Sequence, residues 1–166
     1  MFKLIVMKNA LLLAFIAISF VWSCTGNAGE GTNVDAASAV VQEAESALRQ
    51  KMVTLHDEVM PYMGEINSLN GQLNTALANI QDTAMVASIK GTVEKLTKAD
   101  EGMMDWMQKN GKYFSSLDGL RESMDHEGIM SFLQTEISSM ESIKEMAETG
   151  MTEAKKILES VSAPAE

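Results

Sequence analysis

The sequence predicts an all-α fold: an up-down three-helix bundle with long, coiled-coil-like helices. Two observations carry this prediction. Apolar residues recur at alternating spacings of three and four along three long segments, which is the heptad pattern of helices that pack nearly parallel. The 166 residues include only two prolines, Pro61 and Pro164, so little interrupts long helices.

The first predicted helix carries the most regular apolar seam. Asp35 is a suitable N-cap for it, and Pro61 is expected to bend it or to leave a carbonyl near residue 57 unpaired. A flanking row at seven-residue spacing favours a bundle of three or more helices over a two-stranded coil. The seam residues are Leu48, Met52, Leu55, Val59, Tyr62, Ile66, Leu69, Leu73, Ala76 and Ile80, and the flanking row is His56, Met63, Asn70 and Leu77.

A tight turn at Gln81–Thr83, capped by Asp82, is expected to begin the second helix. Asn110-Gly111 reads as its C-terminal end, and residues 113–119 are expected to fold over the end of the bundle. The apolar row of this helix includes one carboxylate, Asp100. The row is Val86, Ile89, Val93, Leu96, Asp100, Met103 and Met107.

The third helix is predicted to begin between Asp118 and Asp125 and to end near Val161, with residues 162–166 frayed. It continues the three-four pattern. Its apolar row is Met130, Leu133, Ile137, Met140, Ala147, Met151, Ala154, Leu158 and Val161. The bundle domain is therefore expected to span residues 35–161.

The N-terminus has the parts of a secretory leader. Lys8 is followed by the 13 apolar residues Ala10–Trp22 and then by Cys24, the one cysteine of the chain. A helix of 13 residues is about 20 Å long, shorter than the hydrocarbon core of a bilayer, which is about 30 Å thick. Residues 1–23 are thus predicted to be a signal peptide, and the glycine-rich residues 24–34 a flexible tether.

The segment Val21-Trp22-Ser23-Cys24 resembles the lipobox of bacterial lipoproteins. The resemblance implies that Cys24 receives a diacylglyceryl group, becomes the mature N-terminus and, with further acylation such as palmitate, anchors the protein in a membrane. The expected location is the bacterial cell envelope, on the inner or outer membrane, facing the periplasm or the cell surface. An ordinary cleaved signal with a chance cysteine is the alternative.

Charge and missing motifs exclude several functions. The formal charge is −10, and removal of residues 1–23, which hold two lysines and no acid, makes it −12. Such a surface repels nucleic acid and anionic lipid headgroups. The chain has no phosphate-binding loop, Cys-x-x-Cys pair or nucleophile elbow. His56, Asp57 and Glu58 are consecutive and point apart on a helix, so we expect no enzyme.

Methionine is abundant, with 14 residues, and it suggests a metal hypothesis. A hairpin at residues 81–82 places His56 level with Met107, Met60 with Met103, and Met63 with Asp100. Thioethers and imidazole suit Cu(I), so the candidate ligands are His56, Met60, Met63, Met103 and Met107.

Methionine also fills irregular helical cores, and this packing role is the alternative to the metal site. Both interpretations bury Met60, Met103 and Met107. If methionine only packs the core, no cofactor is needed. His56 is then expected to bond Asp100 or a backbone carbonyl, unless the second helix rotates to place Ala99 inside. If the third helix begins where it is predicted, His126, with Met124 and Met130, is expected to reach the same end of the bundle as the candidate ligands.

The segments His56-Asp57-Glu58-Val59-Met60-Pro61 and Met103-Met104-Asp105-Trp106-Met107 resemble a group of small helical lipoproteins from Bacteroidota. The resemblance covers the lipobox and roughly residues 45–110. It implies an envelope location and an all-helical fold, and it carries over no catalytic residue.

These observations predict a lipid-anchored helical bundle that acts as a binding or scaffold module, attached to the membrane and not to nucleic acid. One alternative is an envelope protein that binds Cu(I) or another metal. The other is a structural coiled coil that self-associates through its long helices.

Overall fold

The computed structural model describes residues 31–162, with side chains from residue 38. Three long helices dominate it: α1 (Gly31–Leu77), α2 (Thr83–Asn110) and α4 (His126–Ser162). A 3-10 turn (Gly111–Tyr113) and the one-turn helix α3 (Asp118–Arg121) connect α2 to α4. The described residues form no strand, and the predicted all-α bundle of three long helices is confirmed.

The three long helices pack against one another in up-down-up order. Helix α4 packs most extensively, against both α1 and α2, and α1 and α2 pack together over a smaller area. Two core clusters follow one another along the bundle. One is centred on Met52, Met103 and Leu133, and the other on Ile66, Ile89 and Ala147.

The predicted boundaries of α2 are confirmed, and α4 begins at His126, one residue after the predicted range of 118–125. The Asp82 side chain accepts a hydrogen bond of 2.8 Å from the amide of Met85 and so caps α2. Helix α2 ends at Asn110, where the sequence predicted a stop. Asp125 caps α4 in the same way, because its Oδ1 accepts from the amide of Gly128 at 2.9 Å.

The start of α1 differs from the prediction. The helix begins at Gly31, four residues before residue 35, so Asp35 lies inside the first turns and is not the cap. Pro61 also lies inside α1, which continues to Leu77. The proline side chain is on the exposed surface, where water can bond the carbonyl that its missing N–H leaves free.

The buried face of α2 contains the predicted Ile89, Leu96 and Met103, but at the positions between and after them it takes the residue before the predicted one. Ala99 is fully buried, and Asp100 is only partly buried at the margin of the helix. A carboxylate in the core would need a partner, so the burial of Ala99 in place of Asp100 removes that cost. On α1 and α4 the predicted rows face the core, with every member buried or partly buried.

Candidate functional site

One end of the bundle concentrates the buried polar side chains of the described residues. Four of the five, Glu45, His56, Asn110 and Glu136, belong to this end, which lies beneath the α2–α4 connection. Buried polar groups need partners to offset the loss of water. The partners that each of these side chains has found, or lacks, define the candidate site.

His56 is held between two aromatic rings. Its imidazole stacks against Trp106, with centroids 6.1 Å apart, and meets the edge of Phe114 at 4.8 Å. Phe114 belongs to the connection that was expected to fold over the bundle end. Arg49 of α1 donates a hydrogen bond to the backbone carbonyl of Phe114 and holds that connection in place.

The hydrogen bonds of His56 differ from the prediction. Its Nδ1 lies 2.9 Å from the Oδ1 of Asp57, not beside Asp100. The two consecutive side chains therefore do meet, although consecutive residues on a helix generally point apart. A carboxylate accepts, so the ring donates from Nδ1, and Nε2 of the neutral imidazole keeps its lone pair. This Nε2 is buried and has no hydrogen-bond partner.

Glu136 of α4 ties α2 to α4 beside this aromatic group. Its carboxylate accepts a 2.7 Å hydrogen bond from Nδ2 of the fully buried Asn110 and pairs with Lys109. The backbone carbonyl of Glu136 accepts from the indole Nε1 of Trp106 at 3.1 Å. The sequence analysis missed this residue. The sequence feature that could have identified Glu136 is its position directly before Ile137, a member of the apolar row of α4.

A second buried carboxylate fixes the connection to α1. Glu45 accepts two hydrogen bonds from Arg121, at 2.8 and 3.1 Å, and its other oxygen lies 3.0 Å from Nδ1 of His126. Burial disfavours the charged carboxylate, but the hydrogen bonds and charges of His126 and Arg121 outweigh burial and lower the pKa of Glu45. His126 therefore serves this Glu45 cluster, and Met124 beside it is 40 % exposed.

The five candidate metal ligands differ in how deeply they are buried. Met103 is fully buried, and Met63 and Met107 pack partly buried against the same core cluster. Met60 is 37 % exposed, so the expectation that it lies in the core is wrong. It follows Val59, which takes the buried position in the seam. No group of three or more His, Cys, Asp or Glu side chains among the described residues is placed to hold a metal ion.

Ion pairs cross two of the three seams between the long helices. Lysines or glutamates of α4 pair with α1 and with α2 at several levels, and these contacts hold α4 in its groove. Among the described residues, no ion pair crosses from α1 to α2. The α1–α4 pairs are Lys51–Glu141, Glu58–Lys144 and Glu65–Lys155, and the α2–α4 pairs are Lys95–Glu153 and Lys109–Glu136.

A shallow groove of about 650 Å³ lies at the opposite end of the bundle, between the start of α2 and the end of α4. Met85 and Ile157 contribute its apolar lining, and Ser88, Thr92 and Lys156 its polar lining. The sequence analysis did not identify this groove.

No protein-family model, curated protein or solved structure matches the chain. None of the helices described by the structure is both long and apolar enough to span a bilayer. Cys24 and the proposed leader lie outside the described residues, as do residues 163–166.

Proposed function

We propose that the protein is a lipid-anchored binding or scaffold module of the bacterial cell envelope. The leader, which ends in Val21-Trp22-Ser23-Cys24, supports the anchor. The bundle supports the module, because its three long helices share an apolar core and buried polar side chains link them at one end. A rigid bundle on a membrane tether presents its outer faces to partners in the surrounding compartment.

The single observation that carries the binding role is the uneven distribution of ion pairs among the three seams between the long helices. Inter-helix ion pairs occupy the margins of both seams made by α4 and none of the α1–α2 seam among the described residues. The open margin instead exposes Met60 and Met104, which are 37 % and 60 % exposed. Contiguous exposed apolar patches mark interaction sites, and we propose that Met60 and Met104 form such a patch across this margin.

The anchor is tested by changing Cys24→Ala and following acyl labelling and membrane fractionation in a bacterial host. The wild type is expected to incorporate labelled fatty acid and to sediment with membranes. The variant should lose both properties, because no other thiol is available for acylation. Undiminished acyl labelling of the variant would contradict the proposal.

A second candidate function is the binding of Cu(I), and one observation favours it. Nδ1 of His56 is oriented by the Asp57 carboxylate, which leaves a buried Nε2 lone pair without a partner. A carboxylate behind an imidazole is the usual second shell of a histidine metal ligand. Met103 belongs to the core cluster that also contains Trp106, and Met107 packs against this cluster. Both side chains carry a thioether sulfur.

Titration with Cu(I) under reducing conditions, against a chromophoric competitor, tests this candidate. Stoichiometric tight binding that is lost in both His56→Gln and Met103→Leu would support it. The leucine variant keeps the apolar volume, so it should stay folded while losing the sulfur. Binding that both variants retain, or no tight binding by the wild type, would reject it.

A further inference from the structure

The margin of the α1–α2 seam bears one exposed methionine on each helix, Met60 and Met104, and each has a partly buried methionine three residues later. Met60 and Met63 lie three residues apart on α1, and Met104 and Met107 lie three apart on α2, so each pair shares one side of its helix. The contact of His56 with Trp106 sets the antiparallel register and brings the two pairs to the same level. We call these four residues the α1–α2 methionine face.

The surroundings of this face carry negative charge without compensating cations. The sequence has no lysine or arginine between residues 52 and 89, and none between residues 99 and 108. Asp100, Glu101 and Asp105 lie within the second stretch, and among the described residues they form no ion pair. Asp57, three residues before Met60, lies 2.9 Å from the imidazole of His56 and, among the described residues, pairs with no lysine or arginine.

We infer that the α1–α2 methionine face binds a cationic amphipathic helix of another protein, which deepens the proposed role as a binding module and rests on it. Apolar side chains of that helix would cover the thioethers, and its lysines or arginines would meet the acidic margin. Methionine suits such a surface because its flexible, polarizable side chain adapts to different apolar partners. A helix that docks along two antiparallel helices uses the packing geometry of a four-helix bundle.

The negative charge around the α1–α2 methionine face distinguishes a cationic helix from the other candidate partners. A second copy of the chain would bring the same carboxylates against one another, and like charges in an interface oppose association. An anionic membrane surface is repelled for the same reason. A cationic helix gains from the acidic margin both in affinity and in its rate of encounter.

The test measures binding of a designed peptide to the full chain, purified in a mild detergent. The probe is a helix of about 18 residues, long enough to be helical in the complex, with leucines on one face and lysines on the other. A control peptide carries glutamine in place of lysine. We expect binding in the range of about 10 μM at low salt, at least about tenfold weaker binding by the control peptide, and progressive loss as salt screens the charges.

Variants locate the site. Met60→Gln combined with Met104→Gln should weaken peptide binding at least about tenfold, and Asp100→Asn combined with Glu101→Gln should do the same. The matched control removes two charges from the exposed surface of α4, Glu145→Gln with Glu159→Gln, and should change the affinity less than about twofold. Circular dichroism confirms that each variant is folded, which is expected since most of the altered side chains are exposed.

The proposal is overturned if the control variants weaken binding as much as the face variants, because binding would then reflect net charge alone. It is also overturned if the protein dimerises and Met60→Gln with Met104→Gln abolishes the dimer, which would assign the face to a second copy. Neither outcome affects the Cys24→Ala experiment, so failure of this inference and failure of the lipid-anchor proposal can be told apart.

Discussion

The imidazole of His56 stacks against the indole of Trp106, with ring planes inclined by 21°. This contact joins α1 to α2 at the level that the hairpin turn at residues 81–82 predicted. It also places the buried Nε2 of His56, which has no hydrogen-bond partner, beside the rings of Trp106 and Phe114. A polar atom without a partner in such surroundings lowers stability, and its retention is understandable where a ligand uses the lone pair.

Replacement of His56 by phenylalanine tests this cost. The variant keeps a ring between Trp106 and Phe114 and removes the unpartnered nitrogen, at the loss of one bond to the exposed Asp57. We expect the free energy of unfolding to rise by about 1 kcal/mol. Urea denaturation followed by Trp106 fluorescence measures it, and a fall in stability would show that the imidazole is satisfied in solution.

The Glu45 cluster predicts an acid-sensitive contribution to stability. Because His126 and Arg121 hold the pKa of Glu45 below its ordinary value of 4.5, the folded state favours the carboxylate. The contribution is fully present above pH 4.5 and is lost as the pH falls through the lowered folded pKa. Glu45→Gln should cost about 1–2 kcal/mol at pH 7, a modest value because Arg121 is partly exposed and screened.

The measurement is the thermal midpoint of the wild type and of Glu45→Gln between pH 7 and pH 3. The difference between the two proteins should shrink below pH 4.5. Glu145→Gln is the control, since its carboxylate lies on the exposed surface. A difference that stays constant down to pH 3 would contradict the role assigned to Glu45.

The sequence predicted what depends on local pattern. The apolar rows of α1 and α4, the Asp82 cap and the end of α2 at Asn110 each follow from spacings within a few residues. The row of α2 was correct at Ile89, Leu96 and Met103, but it included Asp100 where Ala99 is buried, because both positions fit a spacing of three and four. Met60 was misplaced for a similar reason, since Val59 occupies the buried position beside it.

The sequence pattern could not predict polar contacts between residues that are far apart in the chain. Glu45 lies 76 residues from Arg121 and 81 from His126, and no periodicity links such positions. The contact of Asn110 with Glu136 likewise depends on how α2 and α4 align after the connection folds. The exposed pair Met60 and Met104 became visible only when burial separated the thioethers of the core from those of the surface.

Gly150 of α4 packs against the side chain of Leu96 of α2. A Cβ at this position would lie 2.8 Å from Cδ2 and 3.3 Å from Cγ of Leu96, which is fully buried. Gly150→Ala should therefore destabilise the protein by about 1–2 kcal/mol, because the strain of overpacking exceeds the gain of about 1 kcal/mol in helix propensity. Gly91→Ala is the matched control, with open space around its Cβ.

The control substitution should stabilise the protein by about 0.5–1 kcal/mol, since only the helix propensity changes at Gly91. Chemical denaturation of the two variants gives the comparison. Equal stabilisation by both alanines would show that Leu96 moves aside freely and that α4 does not depend on the glycine for its distance from α2.

Pro61 offers the last test, because the structure places a costly residue inside a continuous helix. Its ring removes one backbone hydrogen bond and crowds the preceding turn, which costs about 3 kcal/mol in a helix interior. The side chain is exposed, so water can bond the freed carbonyl and the cost is reduced. Proline also stabilises by restricting the unfolded chain, by up to about 1 kcal/mol. Pro61→Ala should therefore raise the free energy of unfolding by about 1–2 kcal/mol.

Denaturation of Pro61→Ala measures the stability, and titration with the lysine–leucine peptide measures the methionine face next to it. If the proline only interrupts the helix, stability rises and peptide affinity stays the same. If it sets the local course of α1 beside Met60, stability rises while the affinity falls, because a straighter helix moves Met60 relative to Met104. A variant that is no more stable than the wild type would contradict the cost assigned to Pro61 and would show that α1 already relieves the strain.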